Sequence, residues 1–236
     1  MTVKAILFDK DGTLIDFHAT WDRATYDVFE SLAKGDLELI RKLAEVSDLD
    51  IKTKAIGRDS ILVAHSSAEI GERWAEVLSR KVDQNFLDEV DFLYGKFGQK
   101  YLTGFPSTPR VLERLVTEAY SLGIATNDSE NNATTQMDQL GWRDHFTAIL
   151  GYDSGYGAKP SPGMVETFAG VAGTAAEEIL MVGDSLHDLV AGKSAGALTI
   201  GVTTGPAQGA DLSGHADAII DDLDELFYVL QQPPFC

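Results

Sequence analysis

The chain has 236 residues, 44% of them hydrophobic, enough for one large domain or two modest ones with a sizeable buried core. Its 37 acidic and 19 basic side chains give a formal net charge of −18, a field that repels nucleic acid and anionic membrane surfaces. A single cysteine, Cys236, rules out an intrachain disulfide and fits a reducing cytosol. No signal-peptide pattern opens the chain, and no apolar run approaches the ~20 residues of a membrane span.

The first apolar run, 3–9, is expected to be a buried strand, and it leads into Asp9-Lys10-Asp11-Gly12-Thr13. In an extended chain residues i and i+2 point to the same side, so Asp9 and Asp11 are presented together. One carboxylate can act as nucleophile while the other handles protons. Gly12 lets the turn form and lets backbone N–H groups approach an anion. An EF-hand calcium loop fails here: counted from Asp9, position 5 is Thr13, glycine falls at position 4, and position 12 is Thr20.

From Asp16 to about Phe105 the pattern turns helical, with periods over 21–32, 38–46, 60–68 and 73–82 and no convincing strand. An all-helical domain inserted at 16–105 is therefore expected, with the remaining core formed by 1–15 and 106–236. The second hinge, 102–109, holds Gly104, Pro106 and Pro109, which suits a linker. Inside the insertion, Gly57-Arg58-Asp59-Ser60 sets a glycine turn, a cation and a helix N-cap in succession. The guanidinium fork of Arg58 suits a carboxylate or a second phosphate, against the plainer reading of an exposed arginine. Phe17 and His18 are candidates for a substrate cleft, with a hinge or core role as the competing reading.

Past the second hinge, apolar strands at 121–126, 146–150, 179–183, 198–202 and 217–221 alternate with helical patterns at 107–119, 129–140, 161–172, 185–195 and 222–231. That alternation implies α/β: a doubly wound parallel sheet covered on both faces, with the strand carboxyl ends gathered at one edge. The second strand ends in Thr126-Asn127-Asp128, where Asn127 or Asp128 also suits the cap of a helix starting near Ser129. Gly157-Ala158-Lys159-Pro160 puts a lysine on a Gly/Pro-rich loop before a helix. A third strand ends in Gly183-Asp184-Ser185-Leu186-His187-Asp188. Asp188 also suits a first helical turn, and His187, pointing elsewhere on that helix, is read as structural.

An acid pair, a hydroxyl, a lysine and a second acid pair, in that order, resemble the haloacid dehalogenase superfamily of phosphohydrolases. The resemblance runs from about residue 3 to 222 and is less specific between 15 and 105. It implies a doubly wound core with a helical cap inserted after the first motif, and a Mg2+-dependent phosphatase. Asp9 would be the nucleophile that forms an aspartyl-phosphate, and Asp11 would protonate the leaving oxygen and later activate water. Thr126 and Asn127 would donate hydrogen bonds to phosphoryl oxygens, and Lys159 would offset charge on phosphorus and hold the nucleophile. Asp184 and Asp188 would bind Mg2+ together with Asp9 and the backbone carbonyl of Asp11. Arg58 and His18 would read the substrate from the cap. Family members that cleave carbon–halogen bonds or phosphonoacetaldehyde generally lack an aspartate at the place of Asp11, and ion pumps carry threonine there. The DxDGT run, the cap position and the length look most like phosphoglycolate phosphatases and their relatives. The alternative is a sugar phosphomutase using the same residues. A non-catalytic binding protein on this fold would be expected to lack a core carboxylate, and none is missing. The expected partner is a small phosphate ester rather than nucleic acid or a membrane. The expected setting is the cytoplasm, as a monomer or homodimer.

Overall fold

The computed structural model describes every residue except Met1, Asp59, Ala64, Ser66 and Gln208, and leaves the side chains of Ser67 and Ala68 undescribed. The strands are β1 (Ala5–Phe8), β2 (Ser121–Ala125), β3 (Ala148–Leu150), β4 (Ile179–Gly183), β5 (Leu198–Val202) and β6 (Ala218–Ile220). The helices are α1 (Phe17–Leu32), α2 (Leu37–Val46), α3 (Ser67–Val77), α4 (Gln84–Tyr101), α5 (Thr108–Thr117), α6 (Glu130–Leu140), α7 (Gly163–Ala172), α8 (Leu186–Ala195), α9 (Gly209–Leu212) and α10 (Leu226–Val229). They fall into two compact units, Met1–Asp16 with Gly104–Cys236, and Phe17–Thr103. Among the described residues no helix is long and apolar enough to cross a membrane.

The first unit is one six-stranded sheet in the order β3-β2-β1-β4-β5-β6, parallel at every pairing. Strands buried on both faces read as unbroken apolar runs, and β1 and β4 are buried along their whole length. One face packs Leu7 and Met181 against Met164, Val165 and Phe168 of α7. Gly123 makes room there, since a Cβ would lie 2.5 Å from the Phe168 ring. Burying that ring contributes about 1.5–3 kcal/mol. The chain moves to one side of β1 through β2 and β3, and to the other through β4, β5 and β6. The switch point, and with it the ligand crevice of an open α/β sheet, therefore falls at the carboxyl end of β1.

The second unit gathers α1–α4 around Trp21, Phe29, Trp74, Phe86 and Tyr94. Trp74 stacks on Tyr94 with ring centres 5.7 Å apart and meets Phe29 edge-on at 5.1 Å. Its buried indole N–H donates to Ser47 Oγ at 2.8 Å. Two expected helices of this unit differ. In place of a helix over 60–68 the chain turns after Ser60, whose hydroxyl donates to the Ser47 carbonyl and accepts from Leu62 N. Those side-chain bonds compete with a helical ladder, and α3 starts only at Ser67. The part of that expectation on Ala64 and Ser66, and the cap expected at Asp59, lie outside the described residues. The helix expected over 73–82 ends at Val77, and Ser79 sits in the left-handed region at φ 52°. Asp83 then accepts from Phe86 N at 3.0 Å and caps α4, an 18-residue helix.

Candidate active site

Asp9 N donates to Val182 O at 2.7 Å, so the nucleophile candidate still belongs to the β1–β4 ladder. The chain then folds back: Leu14 N and Ile15 N both donate to Lys10 O, at 2.9 and 3.0 Å, and Gly12 takes φ 85°. That conformation and the space at Gly12 both require glycine, because a Cβ would come within 2.6 Å of Asp184 Oδ2.

Four candidate groups meet directly at this edge. Lys159 Nζ donates to Asp9 Oδ1 at 2.5 Å and to Asp188 Oδ1 at 2.6 Å, and all three side chains are buried. Carboxylate oxygens of Asp9, Asp184 and Asp188 lie within 4.8 Å of one another. Asp188 is aimed by its own helix start: Ser185 N and Oγ donate to Oδ2 at 3.0 and 2.7 Å, leaving Oδ1 to the lysine. The positive end of α8 adds to that preference. Asp184 follows β4 directly and accepts from Thr13 Oγ1 at 3.4 Å.

Lys159 is placed by Asn127. The asparagine Nδ2 donates to Lys159 O at 2.9 Å, and Lys159 N donates back to Oδ1 at 2.8 Å. Thr126 Oγ1 accepts from Asp128 N at 3.1 Å, which leaves the hydroxyl proton for another acceptor. The helix cap expected at Asn127 or Asp128 is instead Ser129, whose hydroxyl accepts from Asn132 N. Asp128 is drawn elsewhere, its Oδ2 lying 3.0 Å from Lys10 Nζ.

Electrostatics mark this cluster as short of positive charge. Burial pushes the Asp9 carboxyl up to about 7, with Lys159 opposing the rise and Asp188 and Asp11 reinforcing it. Burial, then Asp9 and Asp188, hold Asp184 well above the usual carboxylate range. Burial works against the Lys159 charge, but Asp188 and Asp9 outweigh it and hold the ammonium above its ordinary value. Three converging hard-oxygen donors with one shared ammonium suit a small hard dication.

Asp11 faces a second buried cation. Its two oxygens lie 3.0 and 2.8 Å from Lys10 Nζ, which also reaches Gln136 Oε1 at 2.5 Å. Burial disfavours the Lys10 charge, but Asp11 and then Asp128 outweigh it and hold the ammonium above its ordinary value. Sequence reasoning did not single Lys10 out, although a lysine directly after a strand covered on both faces is itself a signal, since a charge there requires partners.

Arg58 and His18 belong to the helical unit. Arg58 is exposed in the turn after Gly57, and His18 Nδ1 pairs with Asp22 Oδ1 at 3.0 Å while its ring meets Phe17 edge-on. His187 is half-buried on α8.

Residues 3–196 match the family model described as haloacid dehalogenase-like hydrolase. The phosphoglycolate phosphatase of Neisseria gonorrhoeae is 32% identical over 241 residues, covering 97% of this chain and 94% of its own. Among solved structures, a protein provisionally assigned as a phosphoglycolate phosphatase from Haemophilus somnus 129PT superposes with a TM-score of 0.72 at 23% identity, covering 98% and 99% of the two chains. One provisionally assigned as a beta-phosphoglucomutase from Thermotoga maritima gives 0.69 at 22% identity, over 97% and 99%. Sheet, site and relatives together define a hydrolase of the phosphatase class. The chain belongs to the haloacid dehalogenase-like hydrolase family.

Proposed function

We propose that the protein hydrolyses a small phosphomonoester, phosphoglycolate or a close relative, through an aspartyl-phosphate on Asp9. The observation that carries this reading is the Asp9 carboxylate, buried at the switch point with the Lys159 ammonium 2.5 Å away and Asp184 and Asp188 beside it. In the first half-reaction an Asp9 oxygen bonds to phosphorus and the bond from phosphorus to the leaving oxygen breaks. Asp11 gives that oxygen its proton. In the second half-reaction Asp11 takes a proton from water as the water attacks phosphorus, releasing inorganic phosphate and the Asp9 carboxylate. Thr126 donates to a phosphoryl oxygen. Asn127 serves the same phosphate, and its grip on the Lys159 backbone keeps the ammonium in line with it. Asp9, Asp184, Asp188 and the Asp11 carbonyl would hold Mg2+, which when bound neutralises phosphoryl charge.

The helical unit acts as a cap in this reading, with Arg58 and His18 selecting the leaving group. The setting in this reading is a reducing cytoplasm, which a chain with a single cysteine suits, and the protein is a monomer or a homodimer. The test is a phosphate-release screen over small phosphorylated metabolites with Mg2+, including phosphoglycolate and a sugar 1-phosphate. Release from phosphoglycolate ahead of the others is expected. Conversion of the sugar 1-phosphate to its 6-phosphate without free phosphate would instead make the protein a mutase.

A further inference from the structure

Lys10 is the one lysine besides Lys159 that is buried among the described residues, and no step of the proposed reaction uses it. Its side chain is 0% exposed, and its ammonium meets partners from three places. Asp11 comes from the turn after β1, Asp128 from the loop after β2, and Gln136 from α6. Three partner side chains match the three donors of an ammonium, whereas the broader, rigid fork of an arginine would not converge on one point. Asp128 is itself fixed, because Oδ1 accepts from Ser129 N at 2.7 Å and Asn132 Nδ2 at 3.3 Å. The Asp128 backbone N–H in turn holds the Thr126 hydroxyl. Lys10 thus ties the proton-transfer group to the loop that carries the phosphate-binding hydroxyl.

We propose that Lys10 is a positioning residue: it anchors the Asp11 carboxylate to the β2–α6 loop, so that proton transfer is aligned with the phosphate held by that loop. The inference rests on the phosphatase reading of the site. An anchored carboxylate matters most where the leaving group needs a proton. The alkoxide of glycerol 2-phosphate needs one, while p-nitrophenolate leaves without it. The value of kcat/KM reports steps up to departure of the leaving group, so hydrolysis of the aspartyl-phosphate does not enter.

Lys10→Met alone would leave Asp11 and Asp128 facing each other uncompensated. Lys10→Met/Asp128→Asn removes one positive and one negative charge and keeps the charge of the cluster. For this pair, the ratio of kcat/KM for glycerol 2-phosphate to that for p-nitrophenyl phosphate should fall at least tenfold, on the order of what a misplaced acid loses. Should the pair fail to fold by circular dichroism, Gln136→Met removes a single partner of the ammonium, and the ratio should fall about threefold. An unchanged ratio in a folded variant, whether both substrates lose rate equally or neither does, overturns the positioning role. Wild-type protein with Mg2+ that releases phosphate from none of the screened esters, p-nitrophenyl phosphate and glycerol 2-phosphate included, would overturn the phosphatase reading itself, a separate failure.

Discussion

Lys159→Met tests the centre of the site most directly. The substitution keeps much of the side-chain volume but removes an ammonium lying 2.5 Å from Asp9 and 2.6 Å from Asp188, all three buried. In the transition state of the proposed reaction the same ammonium faces charge spreading over the phosphoryl oxygens. Losing one preorganised donor of that kind costs about 3–4 kcal/mol, or 10²–10³ in rate. Removing one partner of a buried ion pair can cost about 3–5 kcal/mol of stability, because the remaining carboxylates lose their counter-charge. The cost is smaller here, since the Asp9 carboxyl already sits at about 7 and can take up a proton near neutral pH. The assay is kcat/KM for p-nitrophenyl phosphate at saturating Mg2+, with a thermal unfolding curve recorded on the same preparation. A loss of at least a hundredfold in a folded variant is expected. A loss under tenfold, about 1.4 kcal/mol, in a variant with native circular dichroism would refute the idea that the ammonium sits at the transferred group.

Asp9→Asn should keep the fold, melt no lower than wild type without metal because the fold disfavours the charged form of Asp9, and abolish phosphate release, since an amide cannot form the acyl phosphate. Turnover within tenfold of wild type would contradict its role. Excess chelator should abolish wild-type activity and Mg2+ restore it, and Asp184→Asn should raise the Mg2+ concentration for half-maximal activity more than tenfold, checked independently by calorimetric titration. In the helical unit, burial would raise the Asp27 carboxyl, but hydrogen bonds from Lys100 and Tyr101 and the charge of Arg23 outweigh it and hold it below its ordinary 3.8. A depressed folded-state value stabilises above that point and is lost as pH falls through it. Asp27→Asn should therefore be about 1–3 kcal/mol less stable at pH 7 by Trp fluorescence, with the gap closing towards pH 2.

The sheet was legible in the sequence because its central strands are buried on both faces, so 179–183 and 198–202 stand out as apolar runs bounded by polar turns. The acidic ends were legible for a related reason, since a carboxylate directly after such a run sits at an edge where ligands bind. The helical unit was harder. Its α3 and α4 boundaries depend on two local contests that composition does not decide. Ser60 bonds back to its own neighbours instead of starting a helix, and Asp83 starts one in a stretch with weak periodicity. The site held two further surprises of the same origin. Asn127 contacts the backbone of Lys159, 32 residues away, and Lys10 contacts Gln136, 126 residues away. Pairings between such distant residues leave no trace in local spacing, so the Asn127 amide read only as a donor or a cap. Lys10 read as an ordinary member of the DxDGT run.

The charge of the chain sets one further expectation. A phosphate ester approaches a protein of net charge −18, and at the site Asp9, Asp11, Asp128, Asp184 and Asp188 face Lys10 and Lys159. Each of those lysines is already shared by two carboxylates, so neither offers the substrate an uncompensated positive field at a distance. With a bound dication, and with Asp11 carrying the proton it gives to the leaving oxygen, the site is at most balanced, so the attraction of the phosphate arises only at contact while the acidic chain as a whole repels it at a distance. Long-range repulsion is screened by salt: the Debye length falls from about 30 Å at 0.01 M to about 10 Å at 0.1 M ionic strength. Raising ionic strength over that range, with Mg2+ kept saturating throughout, should increase kcat/KM for an anionic ester about two- to fivefold. The direction is opposite to that of enzymes whose clefts steer anions inward. A steady fall in kcat/KM with salt would mean that local positive groups outweigh the acidic whole in guiding the ester, and would refute the repulsion.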